Sequence, residues 1–182
     1  QVEATTRALF ARYGYGEIRT PIFESTRLFV RSIGDTTDIV EKEMYTIGEG
    51  DDSLTLRPEA TAPVVRAYLE HNLHKTKSFQ KLYYIGPMFR HERPQAGRKR
   101  QFHQIGVEAI GATDPLLDAE VIALACHLFD DLGVGGYRVR LNAIGTPSSR
   151  SGYRDLITAE LTRQLQSLCP DCRRRLDRNV FR

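Results

Sequence analysis

Residues 100–110 read RQFHQIGVEAI and show the alternation of a β-strand. Side chains two positions apart on a strand lie on the same face of the sheet. One predicted face is largely apolar and carries His103, Ile105, Val107 and Ala109. We expect this face to pack against helices, and we expect His103 to be a buried structural histidine rather than a catalytic base.

The opposite face of this strand combines an aromatic ring, an amide, a position without a side chain and a carboxylate: Phe102, Gln104, Gly106 and Glu108. Such a face makes a poor core and a good pocket floor, because the glycine leaves room for a ligand and the polar groups converge on it. For this segment alone, an ordinary solvent-facing strand surface remains open as the alternative.

The strand is the second arm of a predicted antiparallel hairpin over residues 79–111. Tyr83, Ile85 and Phe89 alternate along the first arm, and residues 94–99 make a polar tip. The two arms would therefore pair side by side and present the two faces just described.

Arg90 and Glu92 share a face at the end of the first arm, so the polar faces of both arms can join into one floor. Arg90 would offer a cation that binds a carboxylate or phosphate through two parallel hydrogen bonds. A reaction that joins a carboxylate to a nucleotide α-phosphate needs such a cation, because it brings two anions together. Five cations surround the tip: Arg90, Arg93, Arg98, Lys99 and Arg100. This concentration favours a polyanionic partner over isolated surface salt bridges.

Residues 54–62, LTLRPEATA, place Glu59 and Thr61 at a predicted strand-to-helix turn. There, a carboxylate and a hydroxyl could hold the ammonium group of a ligand. The alternative is helix capping, since an acid in the first turn is favoured by the helix dipole. From the spacing alone, capping is the favoured interpretation.

The remaining segments predict an α+β fold in which an antiparallel sheet is flanked by helices. Further strands are predicted at 17–23, 43–47, 53–57 and 137–141. Helices are predicted over 2–13, from Pro58 onward, from the cap Asp114 to Gly133, and over 153–168. Pro21 places the first of these strands at an edge or interface, because proline donates no ladder hydrogen bond.

The composition indicates one globular domain, or a large fragment of one, in 182 residues that are 41% hydrophobic and 27% charged. A net charge of +3 is no nucleic-acid footprint by itself. No apolar run approaches the roughly 20 residues that would cross a membrane. The chain begins without Met and looks cut at both ends, so we expect a fragment.

Three cysteines are too few for a disulfide scaffold and favour a reducing compartment. Cys169 and Cys172 have the spacing of half a zinc site, but no second pair exists and the histidines show no paired ligand spacing. No metal site is therefore expected.

Together these segments resemble the histidyl-tRNA synthetases, a class II aminoacyl-tRNA synthetase family. Residues 57–61, RPEAT, are similar to the family's Arg-Pro-Glu-Gly-Thr element. Residues 89–104, FRHERPQAGRKRQFHQ, are similar to its second class II motif and loop. Residues 15–23, with Pro21, resemble the first class II motif, which builds the family's dimer interface, and residues 38–45, DIVEKEMY, resemble another family stretch. The resemblance covers essentially the whole chain and implies the class II antiparallel sheet flanked by helices.

The resemblance also implies roles for the histidine-facing residues. Arg90 would be catalytic, bridging the histidine carboxylate and the ATP α-phosphate while the mixed anhydride forms. Glu59 and Thr61 would bind the α-amino group of histidine. Gln104 and Glu108 would hold polar groups of the substrate, with Glu108 on the imidazole.

Other residues would then face ATP and tRNA. Together with Arg90, Glu92 and Arg98 would contact ATP, and Phe102 would stack on adenine. Arg93 and Gln95 would approach the acceptor end of tRNA(His). The implied reaction is ATP-dependent adenylation of histidine with Mg2+, followed by transfer to tRNA, in a cytoplasmic homodimer that binds no membrane.

The chain departs from the family pattern in two respects. Ala60 stands where the family often has Gly, which is tolerable if the backbone there is helical and would crowd the amino-group pocket if it is not. The downstream Arg-Gly-Leu-Asp-Tyr-Tyr segment, the third class II motif and the anticodon-binding domain do not occur. Residues 1–182 are therefore expected to be a partial class II catalytic core, with the first and second motifs, that adenylates histidine very poorly alone.

Two other functions remain open. Regulatory subunits of ATP phosphoribosyltransferase resemble the same core without its catalysis. The enzyme is favoured over such a subunit because a regulator has no chemical need for an intact set of ATP-facing and substrate-facing residues: Arg90, Glu92, Arg98, Gln104 and Glu108. An RNA-binding module would use the basic tip alone and would bind RNA in a salt-sensitive way, indifferent to histidine and ATP.

Overall fold

A computed structural model describes residues 1–33, 43–93, 95–143, 145–178 and 180–181. The chain divides into two compact units, Gln1–Gly136 and Tyr137–Arg182. The family-like stretch at 38–45 lies mostly outside the described residues. The prediction that the whole chain belongs to one catalytic core is not tested by this division.

In the first unit the described residues form both helices and strands, and the strands follow one another in pairs along the chain. The helices are α1 (Val2–Arg12), α2 (Thr26–Ile33), α3 (Thr61–Glu70), α4 (Leu73–Thr76) and α5 (Pro115–Asp131). The strands are β1 (Gly16–Glu17), β2 (Phe23–Ser25), β3 (Tyr45–Ile47), β4 (Leu54–Leu56), β5 (Gln80–Phe89) and β6 (Gln101–Ile110). The second unit contains α6 (Pro147–Arg163), a 3₁₀ turn (Leu165–Ser167) and α7 (Pro170–Arg178).

The predicted hairpin is the largest element of the first unit. β5 and β6 pair antiparallel without a break, from Gln80 opposite Ile110 to Phe89 opposite Gln101. β1 adds a short parallel strand to the other side of β5, so the strand order is β1-β5-β6. The α+β class and the hairpin are both confirmed.

A second, smaller sheet has the order β2-β4-β3 and is antiparallel throughout. It confirms the predicted strands near residues 43–47 and 53–57. The strand predicted over 17–23 is instead two strands, β1 and β2, which belong to different sheets. The break includes Pro21, which has no N–H to continue a ladder.

The apolar face of the hairpin packs on α1 and α5, as the alternation predicts. Its buried cluster comprises Leu9, Phe10, Tyr15, Tyr83, Leu124 and Leu128. Ile85, Ile105 and Val107 lie against this cluster and are partly buried. The rings of Phe10 and Tyr83 meet edge to face, with centroids 5.2 Å apart. Because this packing fixes the hairpin against α1 and α5, the position of its opposite face is fixed as well.

His103 does not follow the prediction, because its side chain is exposed. It lies two positions nearer the hairpin tip than Ile105, which packs against the core. The expectation of a buried structural histidine is therefore wrong. Alternation assigns a residue to a face, but the length of the covering helices decides how much of that face is buried.

Of the helices predicted in the first unit, α1 and α5 begin and end close to their sequence signals, and α3 does not; α2 and α4 were not predicted. α5 is capped by the side chain of Asp114, which accepts a hydrogen bond from the Leu116 N–H at 2.9 Å. It ends before Gly133, which has a φ of +73°. α3 begins at Thr61 and not at Pro58. The reason lies in Glu59, described below.

The second unit differs most from the prediction. Residues 137–141 form no strand, and no described strand lies beside them. α6 begins at Pro147, because Thr146 caps it by accepting the Ser149 N–H at 3.2 Å. It ends at Arg163, so the predicted helix over 153–168 is placed too late at both ends.

No helix in the described part of the chain is long and apolar enough to cross a membrane.

Candidate active site

The face of the hairpin that points away from α1 and α5 packs against the start of α3. The buried cluster at this contact comprises Tyr84 and Met88 from β5 with Ala60 and Val64 from the start of α3. Ile18, Leu82 and Phe102 are partly buried against them. Part of the predicted pocket floor is therefore apolar packing, and Phe102 belongs to it.

Gly106 has a specific steric role on this face. A Cβ at this position would lie 2.2 Å from the hydroxyl oxygen and from a ring carbon of Tyr84, the residue paired with it on β5. The Tyr84 ring therefore occupies the space that Gly106 was expected to leave for a ligand. Tyr84 is not among the residues predicted for the site. Because it directly follows the core residue Tyr83 on β5, its side chain lies on the opposite face of the strand, and this alternation could have indicated it.

A small polar group surrounds the Tyr84 hydroxyl. Burial raises the pKa of Tyr84 and the pKa of Glu108, hydrogen bonding with Thr61 lowers both, and the charge of Glu59 raises both. The structure thus brings together Glu59, Thr61 and Glu108, three residues that sequence reasoning assigned to one substrate. Tyr84 is an additional member.

Glu59 caps helix α3. Its two carboxylate oxygens accept the N–H groups of Thr61 at 2.6 Å and Ala62 at 3.0 Å. These are orphan donors of the first helical turn, which an anion at the helix N-terminus satisfies. The capping interpretation is therefore correct for the geometry, and the cap explains why α3 begins at Thr61 rather than at Pro58.

The backbone at Ala60 does not require a glycine. Its φ of −122° is negative, on the side that residues with a side chain adopt. The methyl group is fully buried in the cluster with Val64, Tyr84 and Met88. The departure from the family pattern adds packing beneath the site.

Gln104 carries an unsatisfied polar atom. Its side-chain Oε1 is buried and has no hydrogen-bond partner among the described residues. Buried acceptors are nearly always paired, and leaving one unpaired costs about 1–3 kcal/mol. An N–H donor from a bound ligand would remove this cost, which makes Gln104 a candidate contact.

Arg90 is held in place by the protein from two sides. Its Nε donates to the carbonyl oxygen of Pro58 at 2.9 Å, and its guanidinium lies over the Phe102 ring, 5.3 Å from the centroid. Glu92 Oε1 is 3.8 Å from Nη1, a long ion pair. The terminal nitrogens of this half-buried arginine therefore remain suited to binding an anion.

The hairpin tip continues from this arginine. Glu92 Oε2 also lies 3.6 Å from Nη1 of Arg98, so one carboxylate links two cations. Arg93 and Gln95 are exposed, and the Arg98 N–H donates to the Gln95 carbonyl oxygen at 2.9 Å. The structure brings Glu92 and Arg98 to Arg90 and leaves Arg93 and Gln95 facing solvent.

Arg57 is a buried arginine whose role the sequence did not reveal. Its Nε donates to Pro87 O at 3.0 Å, and its Nη1 donates to Thr20 O at 2.9 Å. A Cβ on Gly86 would be 2.5 Å from Nη2, so this glycine makes room for the guanidinium. Burial lowers the pKa of Arg57. The spacing of RPEAT gives no signal for this role, because the partners lie far away in sequence.

A cavity of about 730 Å³ opens beside Glu59 and Thr61, between α2 and α3. Its apolar wall includes Leu28, Val65 and Leu69. Arg66 reaches into its rim and forms an ion pair with the buried Glu24 at 2.7 Å. This space is large enough for a small organic ligand and borders the proposed amino-group contacts.

No group of three or more His, Cys, Asp or Glu residues has metal-binding geometry within the described ranges.

Comparison with known proteins identifies the family. Residues 1–149 match the family model described as histidyl-tRNA synthetase. The chain belongs to the histidyl-tRNA synthetase family. The resemblance proposed from the sequence is thereby confirmed.

Histidine–tRNA ligases of several bacteria are similar over the whole chain. The protein of Trichlorobacter lovleyi is 57% identical over 182 residues, which are 100% of this chain and 43% of that protein. The protein of Desulforudis audaxviator is 57% identical over 183 residues, 44% of its length. The chain therefore spans less than half the length of these curated relatives.

Solved structures agree with this fold. The crystal structure of apo S. aureus histidyl-tRNA synthetase is 41% identical, with a TM-score of 0.72 over 98% of this chain and 42% of that chain. An ATP phosphoribosyltransferase regulatory subunit/histidyl-tRNA synthetase from Bacillus halodurans is 21% identical with a TM-score of 0.67, over 96% of this chain and 49% of that one. The second likeness is one of fold only.

Proposed function

We propose that residues 1–182 form part of the class II catalytic core of a histidine–tRNA ligase, with the first and second motifs of that core. The enzyme would activate histidine with ATP and transfer it to tRNA(His). The observation that carries the proposal is Arg90, oriented by Pro58 and Phe102 in a chain of this family.

The proposed chemistry at Arg90 is electrostatic. A carboxylate oxygen of histidine attacks the α-phosphorus of ATP, and pyrophosphate leaves. Negative charge develops on the α-phosphate oxygens during this step. Arg90 Nε is occupied by the Pro58 carbonyl, so the remaining N–H donors face the two anions and stabilise that charge without reorganising.

The proposed histidine pocket uses acceptors that the fold brings together. Glu59 and Thr61 bind the α-amino group, and Glu108 accepts a hydrogen bond from the imidazole. Gln104 Oε1, which is buried without a partner among the described residues, accepts a further N–H of the substrate. Four acceptors and the Arg90 cation match the ammonium, imidazole and carboxylate of an amino acid.

The proposed ATP and tRNA contacts lie toward the hairpin tip. Glu92 and Arg98 contact ATP, which binds with Mg2+ as a substrate, and Phe102 stacks on adenine. Arg93 and Gln95 meet the tRNA acceptor end, and their exposure is compatible with that role. We further propose a cytoplasmic homodimer whose interface includes the segment around Pro21.

The first test is pyrophosphate exchange, measured in the intact protein with each amino acid in turn. We expect exchange with histidine alone and its loss in Arg90→Ala by about a hundred-fold or more, as for other preorganised charge stabilisers. Lys99→Ala is the matched control, because Lys99 is an exposed cation of the same hairpin without a proposed contact. If Arg90→Ala and Lys99→Ala both retained the exchange rate of the unaltered protein, Arg90 would have no catalytic role.

The regulatory-subunit alternative makes a distinct prediction in the same experiment. Histidine binding without exchange with any amino acid would favour it over the ligase. The likeness to the Bacillus halodurans protein does not separate the two functions, because at 21% identity it reports the fold alone.

A further inference from the structure

The sequence CPDC, residues 169–172, is a cysteine pair that the ligase function does not use. Both cysteines are free and exposed. They stand at the beginning of α7, which runs from Pro170 to Arg178. The pair belongs to the second unit of the chain, whereas the ligase residues belong to the first.

Cys169 occupies the N-cap position of this helix. Its carbonyl oxygen accepts the N–H of Arg173 at 3.0 Å, which is the first helical hydrogen bond. Its sulfur accepts the N–H of Cys172 with an N–S distance of 3.4 Å. The two cysteine residues are thus in direct contact, and the sulfur of Cys169 satisfies an orphan donor of the first turn.

The backbone around the pair is held in place. The guanidinium of Arg173 donates to the carbonyl oxygens of Leu168 at 3.0 Å and Gln166 at 3.2 Å. These bonds tie the first turn of α7 to the segment before it. The N-cap geometry of Cys169 is therefore built into this part of the chain.

The two thiols differ electrostatically. Hydrogen bonds from the backbone N–H and the thiol of Cys172 lower the pKa of Cys169. The same hydrogen bond between the two side chains raises the pKa of Cys172. The charge of Asp171 raises the pKa of both thiols, whereas the backbone N–H of Asp171 lowers the pKa of Cys169. Arg174 pairs with the Asp171 carboxylate at 2.8 Å. Arg175 favours the thiolate of Cys172. A thiolate at a helix N-terminus is stabilised by the helix dipole, so Cys169 is the nucleophile of the pair.

We propose that Cys169 and Cys172 form a redox-active dithiol that exchanges with low-molecular-weight disulfides. The Cys169 thiolate attacks one sulfur of the small disulfide, forms a mixed disulfide and releases one small thiolate. The Cys172 sulfur, after losing its proton to solvent, attacks Cys169 Sγ and releases the second. One protein disulfide forms, the small disulfide is reduced to two thiols, and the two electrons balance.

A metal site is the competing use of such a pair. Two cysteines supply half of a tetrahedral zinc site, and no third ligand completes a cluster among the residues that the structure describes. A dithiol needs no third ligand. Transient redox disulfides also occur in reducing compartments, where structural disulfides do not persist.

The test uses the intact protein, equilibrated with mixtures of reduced and oxidised glutathione, quenched with acid and alkylated. Peptide mass spectrometry should show that the free thiols of Cys169 and Cys172 disappear together, at one glutathione ratio, as a single intramolecular disulfide forms. Cys126 should remain reduced. In the reduced protein, Cys169 should be alkylated about ten-fold faster than Cys172 near neutral pH. Independent oxidation of the two cysteines, or none with excess oxidised glutathione, would overturn the proposal.

Single variants separate the two roles. In Cys172→Ser, exchange should stop at a stable glutathione mixed disulfide on Cys169, because the second attack is lost. Cys169→Ser should react with oxidised glutathione about ten-fold more slowly, and the control Cys126→Ser should behave as the unaltered protein. Stoichiometric zinc that protects both thiols from alkylation would instead identify a metal site. None of these readouts depends on ligase activity, so the dithiol and the ligase proposal can fail separately.

Discussion

Glu108 is a half-buried carboxyl group whose ionised form is disfavoured by the fold. Burial is the main cause of its raised pKa, and the charge of Glu59 adds to it. A carboxyl group with a raised pKa in the folded state stabilises the fold below its unfolded pKa, and this contribution is lost as the pH rises through the folded pKa. Above that range its charge costs stability, which is expected of a binding group rather than of a structural one.

Glu108→Gln tests this interpretation at the residue scale. We expect its free energy of unfolding, relative to the unaltered protein, to rise as the pH is raised from acid through the range in which Glu108 ionises, because the amide carries no charge to bury. We expect histidine affinity to fall by roughly ten- to a hundred-fold, the value of a hydrogen bond to a charged group. Urea denaturation across pH and calorimetric titration with histidine measure the two effects.

Glu49→Gln is the control for this substitution, because Glu49 is exposed in the turn-rich segment before β4. It should change neither quantity. A Glu108→Gln variant that loses stability at neutral pH and keeps its histidine affinity would show that Glu108 serves the fold and not the ligand.

At the scale of the element, the first turn of α3 has two tasks at once. The Glu59 carboxylate caps the helix, and the proposed function gives the same carboxylate to the α-amino group of histidine. A carboxylate has about four acceptor sites, so two backbone N–H groups leave capacity for a ligand. The cap also holds Thr61 near Tyr84 and Glu108.

Glu59→Gln and Glu59→Ala separate these tasks. The glutamine retains a capping oxygen and should keep most of the stability, whereas the alanine should lose about 1 kcal/mol of it. Both should bind histidine more weakly, because both remove the charge. Asp114→Ala, which removes the cap of α5, should cost similar stability without weakening histidine binding. Unchanged affinity in both Glu59 variants would leave Glu59 as a cap only.

At the scale of the molecule, the buried Arg57 connects the two sheets of the first unit. It follows β4 in the smaller sheet, and its side chain bonds Pro87 on β5 of the larger sheet. Its carbonyl oxygen accepts the Phe89 N–H at 3.0 Å, one residue before Arg90. The position of the proposed catalytic arginine therefore depends on how the two sheets are joined.

Arg57→Lys should lower the free energy of unfolding by about 2–3 kcal/mol, because an ammonium cannot reach the carbonyls of Pro87 and Thr20 together. The amide of Phe89 should exchange hydrogen faster than in the unaltered protein. Arg163→Lys, at an exposed arginine of α6, should change stability by less than about 0.5 kcal/mol. Equal stability of the two variants would contradict the linking role.

The elements that were predicted well are those whose signals are local. The hairpin follows from alternation over residues 79–111, and α5 follows from the cap Asp114 and the stop Gly133. The strand predicted at 137–141 shows the limit of this reasoning. Alternation over a few residues is satisfied equally by an irregular segment, and only pairing with a neighbour makes a strand.

By itself, the sequence determined the family, the α+β class and the set of polar residues that line one face of the hairpin. Motif order and side-chain parity carry this information, and both are properties of the chain before it folds. Only the tertiary structure decided that Tyr84 fills the space above Gly106, that Arg57 joins the sheets and that His103 is exposed. These outcomes depend on which distant segments meet, and steric fit and burial act only after those segments are in contact.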